Sequence, residues 1–361
     1  MALTNINTIS ATNVMVASTR VDTDIPRSGF IPDIGMTGEF RYDNSGAPTF
    51  YSDVFDRIIT SLIVEGDGRQ FVNISDMRML AYMNALDYGL GYRRSNPIVT
   101  TTDDLRNDIP YKLHFGNNPY DPFDPMGSDP SSPIVGIPGS QMNRLVLGLT
   151  WGATAAMAAS VGVVDVLSAM RITPHIITPN YGVGQPRYYP KIYTQTYTIT
   201  AANSNFGNTF DVPVGVIVKR VLVMALDATA VRLRTDARIT RVGLIGQEGA
   251  SRRYESTWAE FKQFSADQYP HASNIDYSLV SINQLTGLQG TGSSTVIASS
   301  QPNGLGVIDF RKYAVLQGTE RINPLGADMR GKDQGVLKLG IDNSGTDGQI
   351  ILLWDCIEPF S

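Results

Sequence analysis

The feature that most constrains this chain is that its second half repeats its first. Asp56-Arg57-Ile58-Ile59-Thr60-Ser61-Leu62-Ile63-Val64-Glu65-Gly66 lines up with Asp236-Ala237-Arg238-Ile239-Thr240-Arg241-Val242-Gly243-Leu244-Ile245-Gly246, at an offset of 180. Each run reads as a strand entering a Gly-containing turn. Arg69-Gln70-Phe71 and Arg252-Arg253-Tyr254 then begin a second strand, and each leads into a short helix. Thr257-Trp258-Ala259-Glu260 is a capping box, with Ser75 as the matching cap in the first half. Trp258, Phe261 and Phe264 form one helix face, and Met77, Leu80 and Met83 form the other. The ends of the halves match as well. Leu145–Leu149 resembles Val336–Ile341, and Arg171-Ile172-Thr173-Pro174 resembles Cys356-Ile357-Glu358-Pro359, at offsets of 185 to 192. Four matched features in one order describe a duplicated domain rather than a solenoid, whose units run about 20–50 residues.

The Pro- and Gly-rich stretch around Pro174–Pro190 reads as an extended linker. The expected division is therefore residues 1–174, with 1–19 as an N-terminal arm, a linker over 175–190, and residues 191–361. Strand-like runs occur at Val14–Ser18, Arg57–Val64, Leu145–Thr150, Tyr193–Thr200, Gly215–Ala225, Ile239–Ile245, Val336–Ile341 and Gln349–Asp355. They are rich in Val, Ile, Thr and Tyr. Asp43–Gly46, Glu65–Gly68 and Asp342–Gly345 look like hairpin turns. The expected fold class is all-β: two tandem eight-stranded jelly-roll sandwiches, each with a short helix after the mid-barrel hairpin.

Charged residues are 17% of the chain, below the usual share of about 25%, so much of the surface is neutral and polar. Such a surface suits lasting contact between subunits, because few charges lose water on association. The net charge of −5 leaves no electrostatic footprint for nucleic acid, and the first charged residue is Arg20. A secretory leader needs a basic region before an apolar core, and Met1–Thr19 has neither. Leu145–Val164 is a 20-residue run without formal charge, long enough to span a bilayer. Its glycines, threonines and serine favour a buried strand instead.

Chemistry is sparse. His114, His175 and His271 are far apart in sequence and Cys356 is the single cysteine, so no zinc pattern or internal disulfide is available. Cys356, in an apolar run, reads as a buried thiol. Asp121, Asp124 and Asp129 share one loop and could hold calcium, but a proline follows each, as in successive turns. Asp22-Thr23-Asp24 is a weaker pattern of the same kind. Gly287–Gly292 lacks the Lys-Ser/Thr of a phosphate loop and reads as a flexible loop. No Gly-x-Ser-x-Gly elbow is present. Arg232, Arg234, Arg238, Arg241, Arg252 and Arg253 are the densest basic cluster, with alternation in Val231–Arg234 placing two arginines on one strand face. No catalytic, cofactor-binding or metal residue is assigned, and no cofactor is expected.

The tandem arrangement, and above all Tyr193–Phe264, resembles the double jelly-roll major capsid proteins. That lineage includes adenovirus-like viruses and tailless, often membrane-containing bacteriophages. Within the stretch, Phe210–Arg220, Ile239–Ile245 and Arg253-Tyr254-Glu255-Ser256-Thr257-Trp258 follow the family's order of strand, strand, hairpin and Trp-bearing helix. The resemblance implies a non-enzymatic virion protein. Its homotrimer would present six similar corners as a pseudo-hexamer and tile an icosahedral shell. It also implies other capsid proteins, such as penton or minor proteins, as partners. In relatives with an inner membrane the shell touches lipid rather than genome, and synthesis would take place in the host cytoplasm. Two other readings compete. A carbohydrate-binding tandem β-sandwich adhesin would use Tyr188, Tyr189, Tyr193 and Tyr197 as exposed aromatics. A β-sandwich hydrolase would need facing carboxylates in a cleft.

Overall fold

A computed structural model of the chain describes residues 5–8, 11–43, 54–88, 105–115, 135–153, 163–164, 167–178, 187–229, 232–246, 252–269, 282–283, 288–289, 303–317, 321, 323–345 and 347–360. The chain divides into two compact units, Met1–Pro190 with Ile275–Val296, and Lys191–Asn274 with Ile297–Ser361.

The first unit is built from β1 (Asn5–Thr8), β2 (Ala11–Val14), β3 (Arg20–Asp24), β4 (Phe30–Asp43), β5 (Ile59–Gly66), β6 (Arg69–Ile74), α1 (Met77–Tyr88), β7 (Leu105–His114), β8 (Leu145–Trp151) and β9 (Ala169–Thr178). β1 and β2 share one edge of β9, β9 pairs with β4, and β4 pairs with β7. The second sheet runs β6–β5–β8–β3. From β4 onward the chain therefore crosses to the other sheet for the β5–β6 hairpin, returns for β7, crosses for β8 and returns for β9. Period-2 alternation buries Ile34, Met36 and Phe40 of β4 and Leu62 and Val64 of β5, while β8 is buried on both faces from Leu145 to Leu149. Two sheets with apolar faces of this kind must cover one another, which makes a sandwich.

The second unit uses β10 (Tyr188–Ile199, entering the unit at Lys191), β11 (Asn208–Asp211), β12 (Ile217–Leu226), β13 (Ile239–Gly246), β14 (Arg252–Thr257), α2 (Trp258–Gln268), β15 (Leu305–Asp309), β16 (Leu337–Asn343) and β17 (Gly348–Pro359). Its sheets run β10–β17–β12–β15 and β11–β16–β13–β14. Val221, Val223, Leu244, Phe261, Leu339, Leu352 and Trp354 lie in one buried cluster. Taking β1 with β2 as one edge position, each unit fills the eight strand positions of a jelly roll in the same connection order, with a helix after the hairpin.

The repeat extends to irregularities. Ile59 faces Trp151 and Ser61 faces Thr150, so Thr60 is an extra, bulged residue on β5. Ile239 faces Asn343 and Arg241 faces Asp342, so Thr240 bulges identically on β13. Each hairpin has a second bulge, at Phe71 and at Arg253. The helices also act alike. Asn84 of α1 accepts from the Lys112 backbone N–H and donates to the Lys112 carbonyl on β7. Ser265 of α2 accepts from the Val307 N–H and donates to the Val307 carbonyl on β15. A helix side chain thus stands in for a neighbouring strand at each open sheet edge.

Several expectations shift. The hairpin bulges align Gln70 rather than Arg69 with Arg252, a one-residue correction. Glu65–Gly68 is a hairpin turn, with Asp67 and Gly68 at φ of 48° and 80°. Asp342–Gly345 is not a hairpin. Strands β16 and β17 belong to different sheets, so this loop crosses the sandwich. Of Asp43–Gly46, Asp43 ends β4 and the rest lies outside the described residues. The strand expected at Val14–Ser18 ends at Val14, where pairing with Ala169 stops and the chain turns, with Ser18 at a φ of 54°. The arm 1–19 contributes two strands, β1 and β2, to a sheet edge. The linker over 175–190 begins within β9, whose pairing with β4 continues through Ile177, and Tyr188 already opens β10. The α1 cap is Asp76 rather than Ser75, because the Asp76 carboxylate accepts from the Arg78 N–H. The Thr257–Glu260 capping box is present in full.

Candidate functional site

At the same place in each unit, a row of polar side chains crosses three strands. In the first unit Asp33 on β4 faces His114 on β7 and His175 on β9. His175 Nδ1 lies 2.6 Å from Asp33 Oδ1, and Lys112 Nζ lies 3.5 Å from Asp33 Oδ2. In the second unit Arg220 on β12 faces Asp309 on β15 and Asp355 on β17. The backbone fixes the equivalence. Phe115 donates its N–H to the Pro32 carbonyl, and Phe310 donates to the Lys219 carbonyl. Asp33 therefore corresponds to Arg220, His114 to Asp309 and His175 to Asp355. This replaces the expected pairing of Arg171–Pro174 with Cys356–Pro359, since His175 stands where Asp355 does, beside a bulge in each unit.

The second row is sealed. Arg220 Nε donates to Asp355 Oδ2 at 2.9 Å, and Lys219 Nζ is 2.8 Å from Asp355 Oδ1. Arg311 holds Asp309 through two bonds of 2.9 and 2.7 Å, and the Tyr269 hydroxyl also donates to Asp309. Burial pushes the Asp309 carboxyl up, but the Arg311 charge and the Arg311 and Tyr269 hydrogen bonds outweigh it and bring it down to about 2. Burial lowers Lys219 against the opposing pull of Asp355. In the first row burial likewise raises Asp33, yet the His175 hydrogen bond and the Lys112 charge leave it below the ordinary carboxylate range.

The residues singled out by sequence fall as follows. His114 and His175 are brought together around Asp33, whereas His271 and the loop with Asp121, Asp124 and Asp129 lie outside the described residues. Asp22 is paired with Arg20 on strand β3. Among the described residues no group of His, Cys, Asp or Glu is arranged to hold a metal ion. Of Gly287–Gly292, Leu288–Gln289 pairs with Ile282–Asn283 and the rest is outside the described residues. Leu145–Trp151 of the uncharged run is strand β8, and no helix among the described residues is long and apolar enough to cross a membrane. Cys356 is fully buried, and burial pushes its thiol well up.

The arginine strip does not form. Arg232 sits in a turn at a φ of 51° and donates to the Asp227 carbonyl, while Arg234 donates to the Asn303 carbonyl. Arg241 and Arg252 both pair with Glu255. Three of the four tyrosines of the adhesin reading are packed, and Tyr188 is half-buried at the start of β10. Tyr189 lies on Phe71 beneath Arg69, Tyr193 packs on the core, and the Tyr197 hydroxyl donates to Asn208. Asp309 and Asp355, the most deeply buried carboxylates of the rows, are clamped by arginines and sealed from solvent, unlike a hydrolytic pair.

Sequence reasoning missed Asp33, Arg220, Asp309, Arg311 and Asp355. The available signal was charge inside apolar strands, as in Ile217-Val218-Lys219-Arg220-Val221. What remains outside is a set of sheet faces and edges. They carry charges of both signs, such as Arg20, Asp22 and Glu65 or Lys338 and Asp211, and exposed apolar side chains at Val14, Val16, Leu167, Val214 and Tyr313.

No family model matches the sequence, and no curated protein matches it. The fold has clear counterparts among solved structures. The chain is similar to the STIV MCP, at a TM-score of 0.70 and 12% identity over 99% of this chain and 97% of that one. It is equally similar to a chain in the atomic structure of Sulfolobus Turreted Icosahedral Virus, at 0.70 and 13% over 99% and 91%. The Faustovirus major capsid protein matches at 0.55 and 7% over 100% and 92%. In fold, then, this chain is a double jelly roll of the kind found in viral major capsid proteins.

Proposed function

We propose that the protein is a structural virion protein, a major capsid protein that assembles as pseudo-hexameric homotrimers into an icosahedral shell. The observation that carries this reading is the full-length tandem of two jelly rolls with one connection order, matched end to end by capsid proteins. Two similar barrels per chain supply a trimer with six similar corners, and side-by-side contacts between such blocks close into a shell. The work is binding rather than catalysis, which suits a surface of few and mixed charges. The partners are further copies of the chain, other capsid proteins at the vertices, and an internal membrane where the virus has one. The chain makes no sequence-specific contact with nucleic acid, and it is synthesised in the host cytoplasm before entering the capsid.

Light scattering on a sizing column, with negative-stain imaging of the same peak, tests the reading. The expected result is a trimer of about three times 39.3 kDa with a hexagonal outline. A clean monomer at high concentration would overturn it.

A further inference from the structure

The two hairpins end on equivalent strands, β6 and β14, and the first shows how such a strand is covered. Phe71 and Arg253 hold the same place, the bulge of each hairpin. In the first unit the Tyr189 ring lies on Phe71, 5.8 Å between centroids, with the Arg69 guanidinium 4.3 Å from that ring. Tyr189 belongs to the stretch that opens β10, the first strand of a jelly roll. In the second unit β14 ends its sheet, paired with β13 on one side only, and among the described residues no ring contact or ion pair reaches Arg253. We propose that the surface around Arg253 and Tyr313 is the docking site for a second copy of the chain, which brings its own opening strands, β1 and β2, to β14.

The inference rests on the reading that the chain assembles with itself. Arg253 is half-buried without a partner, whereas its neighbours Arg241 and Arg252 both pair with Glu255. Burial alone lowers its guanidinium, so part of its water is lost with nothing in return. An arriving strand edge supplies carbonyls, and Arg232 and Arg234 show arginines of this unit donating to such carbonyls. Beside Arg253 runs a ladder of rings. Tyr254 lies 4.9 Å from Phe264, and Phe264 lies 5.3 Å from Tyr313, which is 37% exposed. Arginine and tyrosine on a packed aromatic base are what interface centres favour. The opening strands suit the place. Asn5–Val14 carries no charge to repel Arg252 or Arg253, and Val14 and Val16 are exposed apolar side chains for Tyr313 to cover. β2 pairs with β9 on one side, and its partner across β14 would complete the other. The contact joins two different surfaces, so it passes from copy to copy and closes as a ring, not as a two-fold dimer.

Light scattering across a dilution series of the full chain tests the assignment. The wild type should be a trimer. Arg253→Glu should weaken its association by about thirtyfold or more, because a carboxylate would then face strand carbonyls. Tyr313→Ser should act in the same direction, and Lys338→Glu, a reversal at an exposed ion pair on β16, should change nothing. A dicarbonyl footprint of the wild-type trimer needs no variant to fold: Arg253 should react about tenfold more slowly than Arg144, whose side chain is 68% exposed. A trimer undiminished in Arg253→Glu, an equal loss in Lys338→Glu, or an Arg253 as reactive as Arg144 would overturn the docking site and leave the capsid reading standing. A wild-type monomer would overturn both.

Discussion

Asp309 shows what a single buried charge does here. Its carboxyl is held at about 2 against an ordinary 3.8, so the folded state binds that proton less readily than the unfolded chain. The resulting stability, about 2 kcal/mol, is present above the ordinary value and is lost as the pH falls toward 2. Asp309→Asn should flatten that acid limb and destabilise the chain by about 3 kcal/mol, because Arg311 keeps a buried charge without its partner; urea unfolding at several pH values would measure both effects. None of this was legible beforehand. The sequence displays Arg220, Asp309 and Asp355 at separations of 46 to 135 residues, and only strand register makes them neighbours. Cys356 was legible, since the apolar residues Ile350–Trp354 and Ile357 around it mark a core strand.

At the scale of elements, the helix after each hairpin has a specific task. α1 and α2 close the open edges of β7 and β15 through Asn84 and Ser265, different residue types that each offer a donor and an acceptor. Asn84→Leu should therefore cost about 3 kcal/mol by leaving a buried N–H and carbonyl unpaired, visible as a lower urea midpoint with an unchanged slope. Thr257→Ala, which removes only the cap of α2, should cost about 1 kcal/mol in the same assay. Strands with Val, Ile and Thr at period 2 were readable from residues alone, as were the β5–β6 turn and the capping box. The shared bulges at Thr60 and Thr240 were half-visible, as an identical Ile-Thr pair without any sign of its geometry. The loop after β16 misled because Asp-Asn-Ser-Gly fits a tight reversal and a sheet-to-sheet crossing equally well. The β6 alignment slipped by one residue because a bulge adds a residue without changing composition.

For the whole molecule, duplication gives two units of one plan. Cys356, fully buried in the second unit, makes a natural reporter of that unit. A thiol reagent should label the native chain only at the rate at which the second unit opens, and labelling should become immediate in denaturant; rapid labelling of the folded chain would show an open core. Tandem copies of one fold carry a hazard during folding, because a strand of one copy can dock into the vacant slot of the other. The opposite polarity of the two rows bears directly on that hazard. Were β17 to enter the place of β9, Asp355 would be buried against Asp33, carboxylate on carboxylate. Were β9 to enter the place of β17, His175 would replace Asp355, the carboxylate that Lys219 and Arg220 share. The inverted rows thus work as a keyed fitting, in which each final strand closes only the barrel it was copied with.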